Sequence, residues 1–193
     1  MIAYKGFDAD LQARWGSGTY RYEAGKTYKE DRSKCASSGF HCAENPIDCL
    51  KWYPLGAGNR YFLVEASGSL DETTGDSKIA CTQITLLKEL TTKRLAGHAM
   101  IYMVKHPLRE WERIETQLKI CKDKADAPAA GHVAIARGEA PMVRGAEGAI
   151  LGLIREVGGI IEDAKLFEVT GDVKPYTWYT LENRTPKEVQ DET

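Results

Sequence analysis

The sequence predicts an α+β fold, in which a mixed domain of strands and helices is followed by a small all-β module. Three observations predict this class. Over about the first ninety residues, short runs alternate apolar and polar side chains, as strands do. Two stretches between residues 92 and 124 instead repeat apolar residues every three or four positions, as helices do. After residue 131, glycines separate short apolar runs, which favours strands joined by tight turns.

The strands of the first domain are expected where aromatic and β-branched residues cluster, at residues 1–7, 20–23, 60–66 and 79–86. A short helix is expected to begin near Asn45, which can cap it, because Pro46 suits the first helical position and Asp48 carries a negative charge in the first turn. Pro54 would end this helix. Turns or loops are expected at residues 16–18 and 71–77.

Two C-terminal helices are predicted to complete the first domain. Over residues 92–105, the apolar residues Leu95, Ala99, Tyr102 and Met103 fall on one helical face. Pro107 would open a second helix, whose apolar residues recur every three or four positions at Leu108, Trp111, Ile114, Leu118 and Cys121. Both helices are expected to pack against the sheet of their own domain.

The domain boundaries follow from changes in composition. We expect an α+β domain over residues 1–124, a linker rich in alanine over 125–131, a β-rich module over 132–184 and a frayed, charged tail over 185–193. Within the module, Gly158 and Gly159 separate two alternating runs, which is typical of a β-hairpin. The module is therefore expected to be a meander or a short β-solenoid.

The composition bounds the class of protein. The chain has 193 residues, 26 basic and 28 acidic side chains, and a formal net charge of −2, so its charge argues against direct nucleic-acid binding. No apolar run is long enough to span a membrane, and the first residues lack the pattern of a secretory signal, so a cytoplasmic location is expected. Five cysteines, an odd number, are expected to be reduced thiols.

Residues 35–53 carry the densest cluster of reactive side chains, and three interpretations stay open. Cys35, His41, Cys42 and Cys49 are possible zinc ligands, but their spacing does not match the common zinc modules, so no metal is expected. A cysteine nucleophile with His41 as its base is a second interpretation. The third is purely architectural: a strand, a capped turn and a short helix that ends at Trp52 and Tyr53.

The same strand–turn–helix segment resembles an uncharacterised domain family of bacteriophages and prophages. The resemblance covers roughly residues 2–105 and depends on the GFHCAENPIDCLKWYP motif together with residues 3–7, 22–28 and 60–68. In that family, β-solenoid repeats and a short meander often follow the domain. The resemblance implies an accessory protein that binds a host bacterial protein or ribonucleoprotein complex, for example to inhibit CRISPR defence. A separate hypothesis is a virion or tail component, in which the β-rich module mediates assembly into homo-oligomers.

A more distant resemblance is to the ADP-ribosyltransferase fold, which would make the protein an enzyme that uses NAD. Tyr4 and Lys5 lie where that fold holds the nicotinamide side of NAD, and Gly39–His41 and Cys49–Tyr53 lie where its next strand and helix would be. The resemblance implies a cleft bordered by Tyr4, Lys5, His41, Trp52, Tyr53 and Gln83. Gln83 stands where those enzymes carry a glutamate, and Lys5 stands where they carry arginine or histidine. Outside this alternative no cofactor is expected.

Two further groups of residues are candidates from their surroundings alone. Glu65 lies in the strongest predicted strand, where burial would raise the pKa of its carboxyl group and suit acid–base chemistry. Lys119, Lys122 and Lys124 form a basic patch at the end of the second predicted helix. This patch is a candidate surface for contact with a partner.

Overall fold

A computed structural model describes residues 1–15, 18–72 and 76–189 of the chain. The residues form two compact units, Met1–Thr91 and Thr92–Thr193. Among the described residues, strands account for 54% and helices for 11%. The fold is therefore rich in β-structure, and the predicted α+β class with two C-terminal helices is wrong.

The first unit contains seven strands and one short helix within the described ranges. The strands are β1 (Ile2–Phe7), β2 (Gln12–Trp15), β3 (Gly18–Arg21), β4 (Thr27–Lys29), β5 (Phe40–Ala43), β6 (Arg60–Glu72) and β7 (Lys78–Leu90). The strands predicted around residues 1–7, 60–66 and 79–86 are present as β1, β6 and β7. Residues 16–17 of the predicted turn and 73–75 of the predicted loop lie outside the described residues.

The short helix begins where the sequence predicts. It is a 3-10 helix over Pro46–Lys51, and the side chain of Asn45 accepts a hydrogen bond of 3.2 Å from the backbone N–H of Ile47. The backbone N–H groups of Trp52 and Tyr53 both donate to the Cys49 carbonyl, which closes the last turn. The capping chemistry thus determines the start of the helix, as expected from an Asn–Pro pair.

The main sheet of the first unit closes on itself. It has the order β4-β7-β5-β1-β6, and β6 also pairs with β7, so four antiparallel strands form a small ring. Aromatic rings fill its interior: Phe7 meets Tyr22 and Phe62 edge-on, with centroids 5.1 and 5.6 Å apart. Phe40 is buried in the same cluster. Burial of these rings is the main source of stability for the unit.

The second unit opens with α1 (Thr92–Lys105), which confirms the first of the two predicted helices. The strands that follow are β8 (Arg113–Glu115), β9 (Leu118–Ala127), β10 (Val133–Gly145), β11 (Ile150–Val157), β12 (Ile160–Glu168), β13 (Tyr179–Glu182) and β14 (Thr185–Glu188). Strands β9, β10 and β11 are parallel neighbours, with Leu118, Val133 and Ile150 in register. Short turns join these strands, so they stack like coils of a β-solenoid.

The second predicted helix is wrong, because residues 107–121 form a loop and strands β8 and β9 instead. Leu108 and Ile114, two members of its supposed apolar face, are 96% and 76% exposed. Leu118 and Ile120 are buried, and they alternate along β9 as strand residues do. The pairing of β9 with the distant strand β10 decides the structure here and overrides the local helical spacing.

The predicted hairpin, linker and tail of this half of the chain can each be compared with the structure. The hairpin at Gly158 and Gly159 is confirmed: it joins antiparallel β11 and β12, and both glycines have positive φ values, of 58° and 82°. The predicted linker, 125–131, contains the end of β9 and the turn before β10, whereas the two units divide after Thr91. Residues 185–188 of the predicted tail form β14, and residues 190–193 lie outside the described residues.

Arg137, on β10, ties several parts of the second unit together. Its side chain is 1% exposed, and its Nε donates to Glu156 on β11 at 2.5 Å. One terminal nitrogen donates to the Pro107 carbonyl at 2.8 Å, and the guanidinium carbon lies 4.9 Å from the centroid of the Trp111 ring. Its other terminal nitrogen is buried and has no hydrogen-bond partner. A single side chain therefore holds the loop after α1 against the parallel strands.

No helix within the described ranges is long and apolar enough to cross a membrane.

Candidate functional site

The candidate site lies at an incomplete seam in the ring of the first unit. Strand β1 pairs with β6 along all of its residues, but it pairs with β5 only where Tyr4 lies opposite Ala43. Beyond that pair the hydrogen-bond ladder stops, so polar backbone groups there need other partners. A cavity of about 390 Å³ lies at this seam. Its lining comprises Tyr4, Lys5, Gly6, Arg14, Ala36, Ser37, His41, Cys42, Ala43, Asp48, Cys49, Trp52, Tyr53, Asp76 and Lys78.

Lys5 fills the gap that the missing ladder leaves. Its side chain is 7% exposed, and its Nζ donates a hydrogen bond of 2.6 Å to the His41 carbonyl. The Nζ also lies 5.5 Å from the ring centroids of both Phe7 and Tyr22. Burial in this setting lowers the pKa of the Lys5 ammonium group. Lys5 therefore satisfies a backbone carbonyl at the cost of desolvating an amine.

The cysteines around Lys5 are free thiols, and the two that line the cavity have raised pKa values. Cys42 and Cys49 line the cavity, and burial raises the pKa of Cys49 to about 12. The pKa of Cys42 is also raised, because its S–H donates to Cys81 and because it is buried. The Cys81 S–H in turn lies 3.5 Å from the Phe40 carbonyl. A protonated thiol is a poor nucleophile, so this arrangement does not favour the interpretation with a catalytic cysteine.

His41 is fixed by hydrogen bonds. Its Nε2 accepts a hydrogen bond of 3.0 Å from the backbone N–H of Ala36, so that lone pair is already used. Burial lowers the pKa of the His41 imidazole, and the positive charge of Lys78 acts in the same direction. A neutral imidazole with its lone pair engaged is suited to holding the 34–38 turn in place rather than to removing a proton from a substrate.

This environment predicts that His41 makes the first unit less stable in acid. The folded state has the lower pKa, so the unfolded chain binds the extra proton; stability is present above about pH 6.5 and is lost as the pH falls below it. We expect the free energy of unfolding to fall less in His41→Gln than in the unmodified protein between about pH 7.5 and pH 5. Urea unfolding at the two pH values measures the difference. An equal fall in both proteins would contradict the prediction.

Cys35 lies away from the cavity and is held by strand backbone. Its N–H donates to a carboxylate oxygen of Asp71 at 2.6 Å, and its Sγ lies 3.0 Å from the Asp71 carbonyl. Within the described ranges, no three His, Cys, Asp or Glu side chains are grouped so that they could hold a metal ion. Cys35, His41, Cys42 and Cys49 are therefore not brought together as a ligand set.

Aromatic side chains form one wall of the cavity. Trp52 is 52% exposed, and the Nζ of Lys78 lies 5.5 Å from its ring centroid. The Tyr53 hydroxyl accepts a hydrogen bond from the backbone N–H of Arg14 at 3.2 Å. Its ring lies so close to Gly6 that a Cβ at that position would be 2.6 Å from a ring carbon. A glycine in β1 is therefore required for Tyr53 to reach the wall.

A second and more polar cavity adjoins the first. It has a volume of about 830 Å³ and shares Arg14, Ser37 and His41 with the smaller cavity. The rest of its lining is mostly charged or hydroxylated: Glu30, Asp31, Arg32, Ser33, Lys34, Ser38, Gly39 and Ser69. The two cavities thus combine an aromatic region with a region of cations, carboxylates and hydroxyl groups.

The structure brings some of the candidate site residues together and leaves others apart. Five residues of the predicted cleft line the smaller cavity: Tyr4, Lys5, His41, Trp52 and Tyr53. Gln83 lies elsewhere on β7, opposite Lys29 and Ser67, and lines neither cavity. Glu65 is exposed on β6 and also lies outside both. Sequence reasoning missed Arg14 and Lys78, which no local motif marks, because only the pairing of the strands brings them to the seam.

The basic patch predicted on a helix lies on strand β9. Lys119 forms an ion pair with Asp126 at 2.9 Å, whereas Lys122 and Lys124 are exposed. The Nζ of Lys124 lies 5.5 Å from the centroid of the Trp178 ring, and the guanidinium carbon of Arg144 lies 4.7 Å from it. We call Lys122, Lys124, Arg144 and Trp178 the basic face of the second unit.

The first unit is therefore a ring of antiparallel strands with a ligand-sized cavity at an open seam. The chain belongs to a family described as a domain of unknown function, DUF7666, whose model matches residues 1–98. The match covers all the residues of both cavities. No curated protein and no solved structure matches this chain.

Proposed function

We propose that the first unit binds a small anionic ligand that carries a flat ring, and that the ligand occupies both cavities. The observation that carries this proposal is the shared lining: Arg14, Ser37 and His41 belong to both cavities. One molecule can therefore contact the aromatic wall and the cationic region together. The resemblance to ADP-ribosyltransferases makes NAD the first ligand to test, since it combines aromatic rings with phosphates.

The chemistry of the lining suits such a ligand. Arg14, Arg32 and Lys34 provide exposed cations, and guanidinium groups bind phosphate through paired hydrogen bonds. Serine hydroxyls can donate to the same oxygens, and the carboxylates of Glu30 and Asp31 can accept from ribose hydroxyls. At the other end, the exposed ring of Trp52 offers a stacking surface.

We propose binding without transfer of ADP-ribose. The glutamate of the transferases is replaced by the neutral Gln83, which lies outside both cavities, and Glu65 is exposed elsewhere. Asp48 does line the smaller cavity, but it accepts hydrogen bonds from the backbone N–H and the hydroxyl of Ser77. That carboxylate is therefore engaged in holding the turn before β7.

Isothermal calorimetry with NAD tests the proposal. We expect Arg32→Gln to weaken binding about tenfold or more, because a hydrogen bond to a charged group contributes about 1.5–3 kcal/mol. Trp52→Leu should weaken it by removing the stacking surface. Arg21→Gln is the matched control, since Arg21 is exposed in the same unit but lines neither cavity. Absence of NAD binding, or equal affinity in all variants, would contradict the proposal.

A second proposal concerns the role of the whole chain as an accessory protein of a phage or mobile element. The resemblance motivates it, and the basic face supports it, because exposed cations beside a half-buried tryptophan suit an acidic partner. We propose a host bacterial protein or ribonucleoprotein complex as that partner, with CRISPR inhibition as one form of the activity. Assembly into a virion or tail through the β-rich module stays a prediction.

A host lysate supplemented with NAD tests both proposals. A pull-down with the unmodified protein should retain a stoichiometric partner, and Lys122→Glu combined with Lys124→Glu should release it. Lys93→Glu, a change on α1 away from the basic face, should not. Loss of the partner in all three proteins, or in none, would contradict the proposal that the basic face binds the partner. An ADP-ribose adduct on any protein in the lysate would contradict binding without transfer.

A further inference from the structure

Lys5 is an unusual amine for a protein interior. Among the residues whose side chains the structure describes, the buried charged ones are Lys5 and Arg137. Arg137 has a carboxylate partner, but no carboxylate within the described ranges lies in ion-pair distance of the Lys5 Nζ. The Nζ instead donates to the His41 carbonyl and lies 5.5 Å from the centroids of two aromatic rings, those of Phe7 and Tyr22. An unpaired ammonium is strongly disfavoured in such a place, so the neutral amine is favoured.

The surroundings reverse the usual order of reactivity between amine and thiol. On a protein surface, cysteine is the better nucleophile at neutral pH. At this seam, burial raises the pKa of Cys49 and lowers the pKa of Lys5, so the thiol holds its proton more tightly, and the amine holds its proton less tightly, than on a protein surface. Both residues line the same cavity. Lys5 is therefore the nucleophile that a ligand in this cavity meets.

We propose that Lys5 captures an aldehyde or ketone group of a bound ligand as an imine. The nitrogen lone pair of Lys5 forms a bond to the carbonyl carbon, and the carbonyl oxygen leaves as water with the two hydrogens of the amine. A proton taken from solvent then converts the imine to an iminium ion, whose single N–H can still donate to the His41 carbonyl. The step needs no oxidant or reductant.

The ligand class follows from the adjoining cavity, and in this respect the inference rests on the proposed function. Arg14 is common to both linings, and Arg32 and Lys34 extend the cationic region beyond it. A carbonyl compound held by these groups would carry a carboxylate or phosphate. The geometry thus points to a 2-oxo acid or a phosphorylated aldehyde, with its carbonyl carbon toward Lys5.

Reductive trapping tests the inference on the complete protein. The protein is incubated with glyoxylate and cyanoborohydride at neutral pH, where hydride addition to an imine leaves a permanent secondary amine. Peptide mapping with fragment spectra that separate Lys5 from the α-amino group of Met1 then measures the adduct on each lysine. We expect Lys5 to carry more adduct than any exposed lysine, because a lowered pKa raises the neutral fraction of its amine.

Two variants and one binding measurement make the outcomes distinct. Lys5→Met should abolish the dominant adduct, whereas Lys88→Met, at an exposed lysine of β7 that lines neither cavity, should leave it. The inference would be overturned if the amount of adduct on each lysine followed its solvent exposure and Lys5 carried none in the folded protein without substitutions. This outcome is decisive even if Lys5→Met does not fold. If calorimetry shows NAD binding but Lys5 is not labelled, imine formation at Lys5 is contradicted and the proposed function is supported. If Lys5 is labelled but Arg32→Gln changes neither labelling nor NAD binding, imine formation is supported and anion binding by the larger cavity is contradicted.

Discussion

Replacing Arg137 by methionine should lower the free energy of unfolding of the second unit by about 3–5 kcal/mol, which is the usual cost of removing one partner from a buried ion pair. The methionine can fill much of the same space, so the loss is electrostatic rather than a cavity. It leaves the Glu156 carboxylate, 23% exposed, without its guanidinium partner. It also removes the hydrogen bond to the Pro107 carbonyl that holds the loop after α1.

Chemical unfolding, with hydrogen exchange of the β10 and β11 peptides, measures this effect. The double variant Arg137→Met with Glu156→Leu should recover much of the lost stability, because an apolar pair of similar volume often replaces a buried ion pair without loss. Lys93→Ala is the surface control: its pair with Glu168 is 48% and 38% exposed, so a change within about 1 kcal/mol is expected. If Arg137→Met lowered the free energy of unfolding no more than Lys93→Ala does, the contacts of Arg137 would not stabilise the second unit as proposed.

Elements that local contacts determine were predictable from the sequence, and elements that distant strand pairing determines were not. The helix over 92–105 was predictable because its apolar stripe and its hydrogen bonds all lie within one short segment. The hairpin at Gly158 and Gly159 was predictable for the same reason, since the turn chemistry is local. Residues 107–121 carried an equally regular helical spacing, yet Leu118 pairs with Val133 in a parallel ladder. No local pattern reports such a pairing.

The candidate site shows the same division. Tyr4 and Lys5 on β1 and Trp52 and Tyr53 after the 3-10 helix were identified through the resemblance, and the structure brings them to one cavity. Which face a strand residue occupies was harder to predict. The neighbours of Glu65 allowed either burial or exposure, and alternation along β6 buries Val64 and Ala66 and exposes Glu65. The missing ladder between β1 and β5, which creates the seam, depends on strand geometry that composition does not encode.

The second large effect is expected at Gly39, which precedes β5 and lines the larger cavity. Its φ is +81°, a left-handed value that disfavours any side chain. A Cβ at this position would lie 2.8 Å from the Cys81 carbonyl oxygen and 2.9 Å from the Arg32 carbonyl oxygen. Both neighbours are backbone atoms, so they cannot rotate away. Gly39→Ala should therefore combine backbone strain with overpacking.

We expect Gly39→Ala to destabilise the first unit by about 2–5 kcal/mol, the sum of roughly 1–2 kcal/mol for the left-handed backbone and 1–3 kcal/mol for overpacking. Gly25→Ala separates the two contributions, because Gly25 has nearly the same φ, +78°, and a Cβ there would meet no atom within 4 Å. It should show the backbone cost alone. Urea unfolding of the two variants measures both. Equal losses would mean that the chain near Arg32 and Cys81 moves to accept the methyl group. A larger loss in Gly39→Ala, with weaker NAD binding, would instead show that this close approach of backbone segments shapes the cationic cavity.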